Sequence, residues 1–306
     1  MSNRFVDRLG AGEVLVADGA TGTSYQEKGL AIGVAPEEWV EDHPERVLGL
    51  HRAFVQAGSD IILTDTFGGT PIRLRETRFA RRARDLNRRA AQLARHATDG
   101  TGVLVAGSMG PTGMLMEPLG DLTASAAADV FAEQAAGLAE GGVDLLLLET
   151  FFALDEALAA IDGIRRVTGL PLVASFSFDQ GTRTMMGLSP TTMLKAISPL
   201  GVAAVGANCG RSLDDMEKVV NELASMNAGI PLWIKPNAGL PRMDGDVARY
   251  DTTPETMAAF AERFLEAGAR IVGGCCGSSP AHVAAIAAAA AEYHRAGAGG
   301  RHRVRE

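Results

Sequence analysis

The chain is poor in cysteine, with three in 306 residues. An odd and small number excludes the disulfide framework of a small secreted domain and fits a reducing compartment. Positive charge is also short: 29 Lys and Arg stand against 37 Asp and Glu, a net charge of -8. That balance argues against a nucleic-acid-binding surface. Aromatic residues are scarce at 5%, yet hydrophobic residues reach 46%, ample for a large core. No apolar run approaches the roughly 20 residues a membrane span needs. The start, Met1-Ser-Asn-Arg-Phe-Val-Asp-Arg8, lacks an apolar h-region, so no signal peptide is expected. Together these absences predict a soluble, cytoplasmic protein with neither nucleic acid nor membrane as partner.

What is present is an eight-fold alternation. Short β-branched and apolar runs at 14–18, 60–65, 102–106, 144–149, 171–175, 203–206, 231–235 and 269–272 read as strands. Stretches with helical period lie between and after them, at 44–57, 76–97, 124–140, 155–167, 213–225, 254–267 and 280–293. The basic run over 73–95 repeats at helical spacing and reads as a solvated helix face rather than a phosphate-binding patch. Eight strand–helix units in a chain of this length predict an α/β fold, a single (β/α)8 TIM barrel with a core over about residues 10–293. Residues 294–306 are expected to form a flexible tail. An open doubly wound sheet would carry G-x-G-x-x-G after its first strand, and none is there. No linker or second domain is visible.

The unusual residues follow the strands. Asp18-Gly-Ala-Thr-Gly-Thr23, Thr64-Asp-Thr-Phe-Gly-Gly69, Glu149-Thr-Phe-Phe152, Asn208-Cys-Gly210, Pro236-Asn-Ala-Gly239 and Cys275-Cys-Gly277 all sit at C-terminal strand ends. Active sites of such barrels are built on that face. Three thiols converging there suit a zinc ion, which prefers sulfur and nitrogen ligands in a tetrahedron. Cys275 and Cys276 can share one metal only if the strand has ended or bulged, which Gly273, Gly274 and Gly277 would permit. Three protein ligands leave a fourth position open. A trithiolate zinc, about -1 by charge counting, is a weak Lewis acid towards water but a good holder of another sulfur. A thiol with a free pKa of about 8.5 would bind there as thiolate. The site therefore reads as one for thiol alkylation. Asp18 and Glu149 on the same face suit a substrate ammonium. The backbone N–H groups of Gly19, Ala20, Thr21 and Gly22 suit a carboxylate. The six histidines, from His43 to His302, fall in helical or tail segments and offer no rival metal site.

These blocks resemble the homocysteine S-methyltransferase family. Asp18-Gly-Ala-Thr-Gly-Thr23, Thr64-Asp-Thr-Phe67, Glu149-Thr-Phe-Phe152, Gly206-Ala-Asn-Cys-Gly210 and Gly273-Gly-Cys-Cys-Gly277 carry the resemblance, which covers about residues 10–290. It implies a zinc barrel with Cys209, Cys275 and Cys276 as ligands and catalytic centre. It also implies homocysteine held by Asp18 and Glu149 at its amino end and by the backbone near Gly19, Ala20 and Thr21 at its carboxylate. Thr66 is counted with these substrate contacts. Asn237 matches a position that can approach the zinc, or is a plain turn asparagine. The methionine-synthase branch is resembled better than the betaine branch, whose aromatic cage for a quaternary ammonium is replaced at two positions by Gly68 and Thr150. Trp39 is out of register with the cage tryptophan. No Asp-x-His-x-x-Gly corrinoid motif occurs in the chain. The donor implied is therefore a methyl-corrinoid on a separate protein, or a sulfonium such as S-methylmethionine or S-adenosylmethionine. Other readings stay open: another small thiol or selenol as acceptor, a non-catalytic module binding homocysteine or zinc, and a structural zinc site with a fourth protein ligand.

Overall fold

Runs dominated by Leu, Ile, Val and Ala become eight parallel strands. They are β1 (Leu15–Val16), β2 (Ile61–Leu63), β3 (Leu104–Met109), β4 (Leu145–Phe151), β5 (Leu172–Phe176), β6 (Ala204–Cys209), β7 (Leu232–Pro236) and β8 (Ala269–Val272). The structure is a computed structural model and describes residues 3–31, 33–244 and 247–300. The strands lie side by side in the order β1-β8-β7-β6-β5-β4-β3-β2. A parallel bridge between Ala17 and Ile61 closes the ring, helped by Asp60 N–H donating to Val16 O at 2.7 Å and Asp18 N–H to Ile61 O at 3.0 Å. This is the (β/α)8 barrel that the alternation predicts.

Both faces of these strands are buried, which is why they read as continuous apolar runs. On β4, Leu145 and Leu147 point into the barrel with Leu15, Ile61, Trp233 and Ile271. Leu146 and Leu148 point outward onto helix residues such as Phe131, Leu138 and Ile164. Phe5 joins the interior cluster from a short helix, Arg4–Gly10, that sequence pattern did not show. Asn3 caps it by accepting from Phe5 N–H at 3.0 Å and donates to Asp144 O at 3.0 Å, at the N-terminal end of the strands.

Seven helices match the helical stretches: Pro44–Gln56, Ala83–Thr98, Ala124–Glu140, Leu154–Val167, Leu213–Ser225, Pro254–Glu266 and Pro280–Gly300. One begins later than expected. The helix assigned to 76–97 starts at Ala83, because Thr77 Oγ1 donates to Leu74 O at 2.8 Å and accepts from Phe79 N–H at 3.1 Å. Such local bonds offer the backbone an alternative to the helix. The first arginines of the basic run, Arg73 and Arg75, therefore lie in a turn-rich loop after β2 and not on a helix face. An eighth crossover helix, Pro190–Ile197, stands between β5 and β6, with Ser189 Oγ accepting from Thr192 N–H at 3.1 Å. A hairpin of Arg242–Asp244 and Val247–Arg249 follows β7. The last helix takes in residues 294–300 of the expected tail, while 301–306, with His302, lie outside the described residues. No helix among the described residues is long and apolar enough to cross a membrane.

Candidate active site

The three thiols meet at the C-terminal mouth of the barrel. Cys209 ends β6 and the other two follow β8. Cys209 Sγ lies 3.1 Å from Cys275 Sγ, and all three sulfurs lie within 4.8 Å of one another. A tetrahedral zinc with Zn–S bonds of ~2.3 Å spaces its sulfurs about 3.8 Å apart, a spacing those two values bracket. The cluster is the one group of three His, Cys, Asp or Glu ligands among the described residues that close.

β8 stops at Val272, so Cys275 and Cys276 are not bound to opposite faces of a strand. Cys275 N–H donates to Pro236 O at 2.7 Å and Cys276 N–H to Asn237 Oδ1 at 3.0 Å. Two glycines make this turn possible. A Cβ on Gly274 would sit 2.2 Å from Ser278 Oγ, and Gly277, at φ +79°, would place one 2.2 Å from Tyr250 Cγ. Cys209 itself has φ +58°, and the β-branched Thr150 at the end of β4 has φ +64°. Such backbone is costly for side-chain-bearing residues and clusters at functional sites. Asn208, fully buried, holds both. Its Oδ1 accepts from Thr150 N–H at 2.8 Å and Ser175 Oγ at 2.6 Å. Its Nδ2 donates to Thr150 Oγ1 at 2.7 Å and lies 3.5 Å from Cys209 Sγ.

The thiols titrate as a unit. Hydrogen bonds from Cys209 and then Cys275 lower the Cys276 pKa. Cys209 is pushed up by its bonds with Cys275 and Cys276 and by burial. The Cys209 bond favours a thiolate at Cys275, but the Cys276 bond, burial and the Cys276 charge together raise it. Burial and mutual charge thus resist all three sulfurs becoming thiolates together. A divalent cation would reverse that resistance.

The carboxylates are arranged differently from one another. Glu149 lines a cavity of about 890 Å³ with Cys209, Cys275, Cys276 and Thr66. Burial raises its carboxyl to about 7, with Lys235 pulling the other way and the Cys275 charge adding to the rise. Ser108 Oγ donates to Glu149 Oε1. Asp18 lies behind that wall. Lys235 Nζ is 2.7 Å from its Oδ1 and Leu63 N–H donates to its Oδ2 at 2.7 Å. Burial pushes Asp18 up against the opposing Lys235 charge, and Asp18 and Glu149 hold Lys235 protonated against burial. With both partners 1% exposed and the contact short, the pair is a buried ion pair. Lys235, which sequence reasoning had only as a strand residue, is the member that lines the cavity. Its signal was a lysine inside the apolar run 231–235, a residue type almost never fully buried unless paired.

The remaining predicted residues divide similarly. Gly19, Ala20 and Thr21 line the cavity, but Ala20 N–H already donates to Ser278 O at 2.9 Å. The Gly19, Thr21 and Gly22 amides donate to no backbone carbonyl among the described residues. Thr66 Oγ1 donates to Ser108 O at 2.7 Å and pairs with Thr64 Oγ1 at 2.6 Å. Asn237 bridges the two cysteine loops, its Nδ2 donating to Gly210 O at 3.0 Å while its Oδ1 accepts from Cys276 N–H. Trp39 is buried against Tyr25, ring centroids 4.7 Å apart.

Residues 15–290 match the family model for homocysteine S-methyltransferase. The chain belongs to the homocysteine S-methyltransferase family. Among curated family relatives, the methionine synthase of Mycobacterium tuberculosis is 34% identical over 299 residues, which cover 92% of this chain and 25% of that protein. The methionine synthase of Mycobacterium leprae is 34% identical over 298 residues, 92% of this chain and 24% of that one. The chain thus spans about a quarter of the length of these curated relatives. The fold matches the homocysteine methyltransferase MmuM from Escherichia coli in its metallated form, with a TM-score of 0.75 at 23% identity over 92% of this chain and 98% of that one.

Proposed function

We propose that this chain transfers a methyl group to the thiol of L-homocysteine, giving methionine, with zinc held by Cys209, Cys275 and Cys276. The observation that carries the reading is the convergence of three thiols from two strand ends, beside Glu149, in one cavity of a family member. When bound there, zinc would supply a place for the substrate sulfur and lower its pKa. The chain's own groups do the rest. Glu149, held near pKa 7 by burial, would take the substrate ammonium, whose charge favours the carboxylate. Thr21 and Gly22 amides would take the substrate carboxylate. Lys235 would offset the negative charge of the thiolates, with Asp18 fixing its position. Asn208 and Asn237 hold the cysteine loops in register, so the sulfur is presented to the donor methyl without reorganisation.

A purely structural zinc site would need a fourth protein ligand. Among the described residues no fourth His, Cys, Asp or Glu joins the cluster, and Asn237 is engaged by backbone on both ends of its amide. The donor would be a corrinoid protein acting in trans or a free sulfonium. Gly68 and Thr150 supply no aromatic cage. Metal analysis and methionine formation by the purified, zinc-loaded protein test the proposal. A Cys276→Ala variant is expected to lose both stoichiometric zinc and methyl transfer. If it keeps both, the thiol centre is not the site.

A further inference from the structure

The loop after β7 grips Cys276 at three points. Asn237 Oδ1 accepts from Cys276 N–H at 3.0 Å, and Ala238 N–H donates to Cys276 O at 2.9 Å. The third point is the sulfur. Tyr250, near the far end of the same loop, is a side-chain hydrogen-bond partner of Cys276. Its ring crosses Gly277 so closely that a Cβ on the glycine would sit 2.2 Å from Tyr250 Cγ and 2.5 Å from its Cβ. Tyr250 is partly buried against the main hydrophobic core and is not among the residues that line the cavity. It therefore meets Cys276 from outside the substrate space.

The segment that carries Tyr250 is fastened in place. Two residues on, Thr252 N–H donates to Ala238 O at 3.3 Å, and Thr252 Oγ1 lies 2.5 Å from where a Cβ on Gly239 would stand. Thr252 O pairs with His282 Nε2 at 2.8 Å. His282 Nδ1 faces Ser279 N–H at 3.1 Å and Ser279 Oγ at 2.8 Å. The Ser279 amide can only donate, so Nδ1 accepts and the ring hydrogen sits on Nε2, where it donates to Thr252 O. The first turn of the last helix thus holds the returning end of the loop.

A thiol-alkylating centre built from thiolates has a selectivity problem. Three protein sulfurs stand beside the one that should attack, and a thiolate is a nucleophile wherever it is. A hydrogen bond to a thiolate draws charge from it, and donors behind metal ligands orient and tune them. Asn208 Nδ2 lies 3.5 Å from Cys209 Sγ and 3.9 Å from Cys275 Sγ. Cys276 is served from the other loop. Resting on the thiol centre proposed above, we infer that Tyr250 is a positioning residue whose hydroxyl donates to Cys276 Sγ and keeps that sulfur a ligand rather than a competing nucleophile.

The test uses the full-length, zinc-loaded protein without substrate, and iodoacetamide as the probe. In that reaction the cysteine sulfur forms an S–C bond as the C–I bond breaks, and iodide leaves with its electron pair. Peptide mass mapping gives the initial alkylation rate of each cysteine, and a chromogenic chelator follows zinc release. Tyr250→Phe keeps the ring across Gly277 and removes only the hydroxyl. It should speed alkylation of Cys276 by ~10-fold or more, with Cys209 and Cys275 within about 2-fold of wild type. Zinc release should quicken in step with Cys276. His282→Ala, which frees the Thr252 end, should move Cys276 in the same direction. Stoichiometric zinc with an unchanged Cys276 rate in Tyr250→Phe overturns the inference alone. Equal acceleration at all three cysteines does the same, because it marks a general loosening of the site. A wild-type protein that holds no stoichiometric zinc strikes the thiol-centre reading itself, and this inference with it.

Discussion

Replacing Lys235 by methionine removes the one cation that faces Asp18 and keeps most of the side-chain volume. Lys235 and Asp18 side chains are 2% and 1% exposed, and Nζ sits 2.7 Å from Oδ1. The variant leaves Asp18 with Leu63 N–H and no counter-charge. Breaking a buried pair from one side costs about 3–5 kcal/mol, a large part of the roughly 5–15 kcal/mol that stabilises a typical domain. An unfolding entropy of about 2.1 cal/mol/K per residue over 306 residues converts 4 kcal/mol into a fall in Tm of roughly 6 °C. Adding Asp18→Asn removes the stranded charge and should restore most of the loss, because the asparagine oxygen still accepts from Leu63. Urea unfolding at pH 7 of wild type, Lys235→Met and the double variant measures this directly. A loss below about 1 kcal/mol for the single variant, or a double variant no more stable than the single one, would refute the description of the pair as ionised and buried.

Burial lowers the His51 pKa to about 4, so its folded value lies below the unfolded 6.5. Its stability contribution is therefore complete above pH 6.5 and is lost as pH falls towards 4, about 3 kcal/mol in all. His51→Leu should flatten that acid limb by about 2.4 kcal/mol when unfolding at pH 7 and pH 4.5 is compared with wild type. Asn208→Ala frees Thr150 N–H, Ser175 Oγ and the Cys209 sulfur at once. Metal affinity, read by competition with a chromogenic chelator, should fall ~10- to 100-fold as expected for partners that orient ligands. Gly277→Ala forces a Cβ to 2.2 Å from Tyr250 Cγ at φ +79°. It should displace Cys276 and reduce metal stoichiometry, whereas Gly29→Ala, equally left-handed at φ +96° but with open space around it, should cost stability and leave metal binding intact.

The barrel and its thiol centre could be read from the chain because both depend on local pattern. Buried parallel strands must be apolar throughout, and helices must carry one apolar stripe, so eight units announce themselves. Cys209, Cys275 and Cys276 each follow an apolar run, and the barrel topology then brings all strand ends to one face whatever their spacing in sequence. The late start of the helix at Ala83 escaped because it hangs on two bonds of Thr77, which local composition does not distinguish from helical neighbours. What no pattern could supply was the pairing across the ring. Asp18 meets Lys235 over 217 residues, and Ala20 N–H is engaged by Ser278 O. A side chain's type shows which bonds it can make, but which bond it does make depends on the neighbours that barrel closure places within about 3 Å. That is why the sequence determined where the chemistry sits, and only the tertiary structure decided which acid is paired with a lysine and which amides remain open.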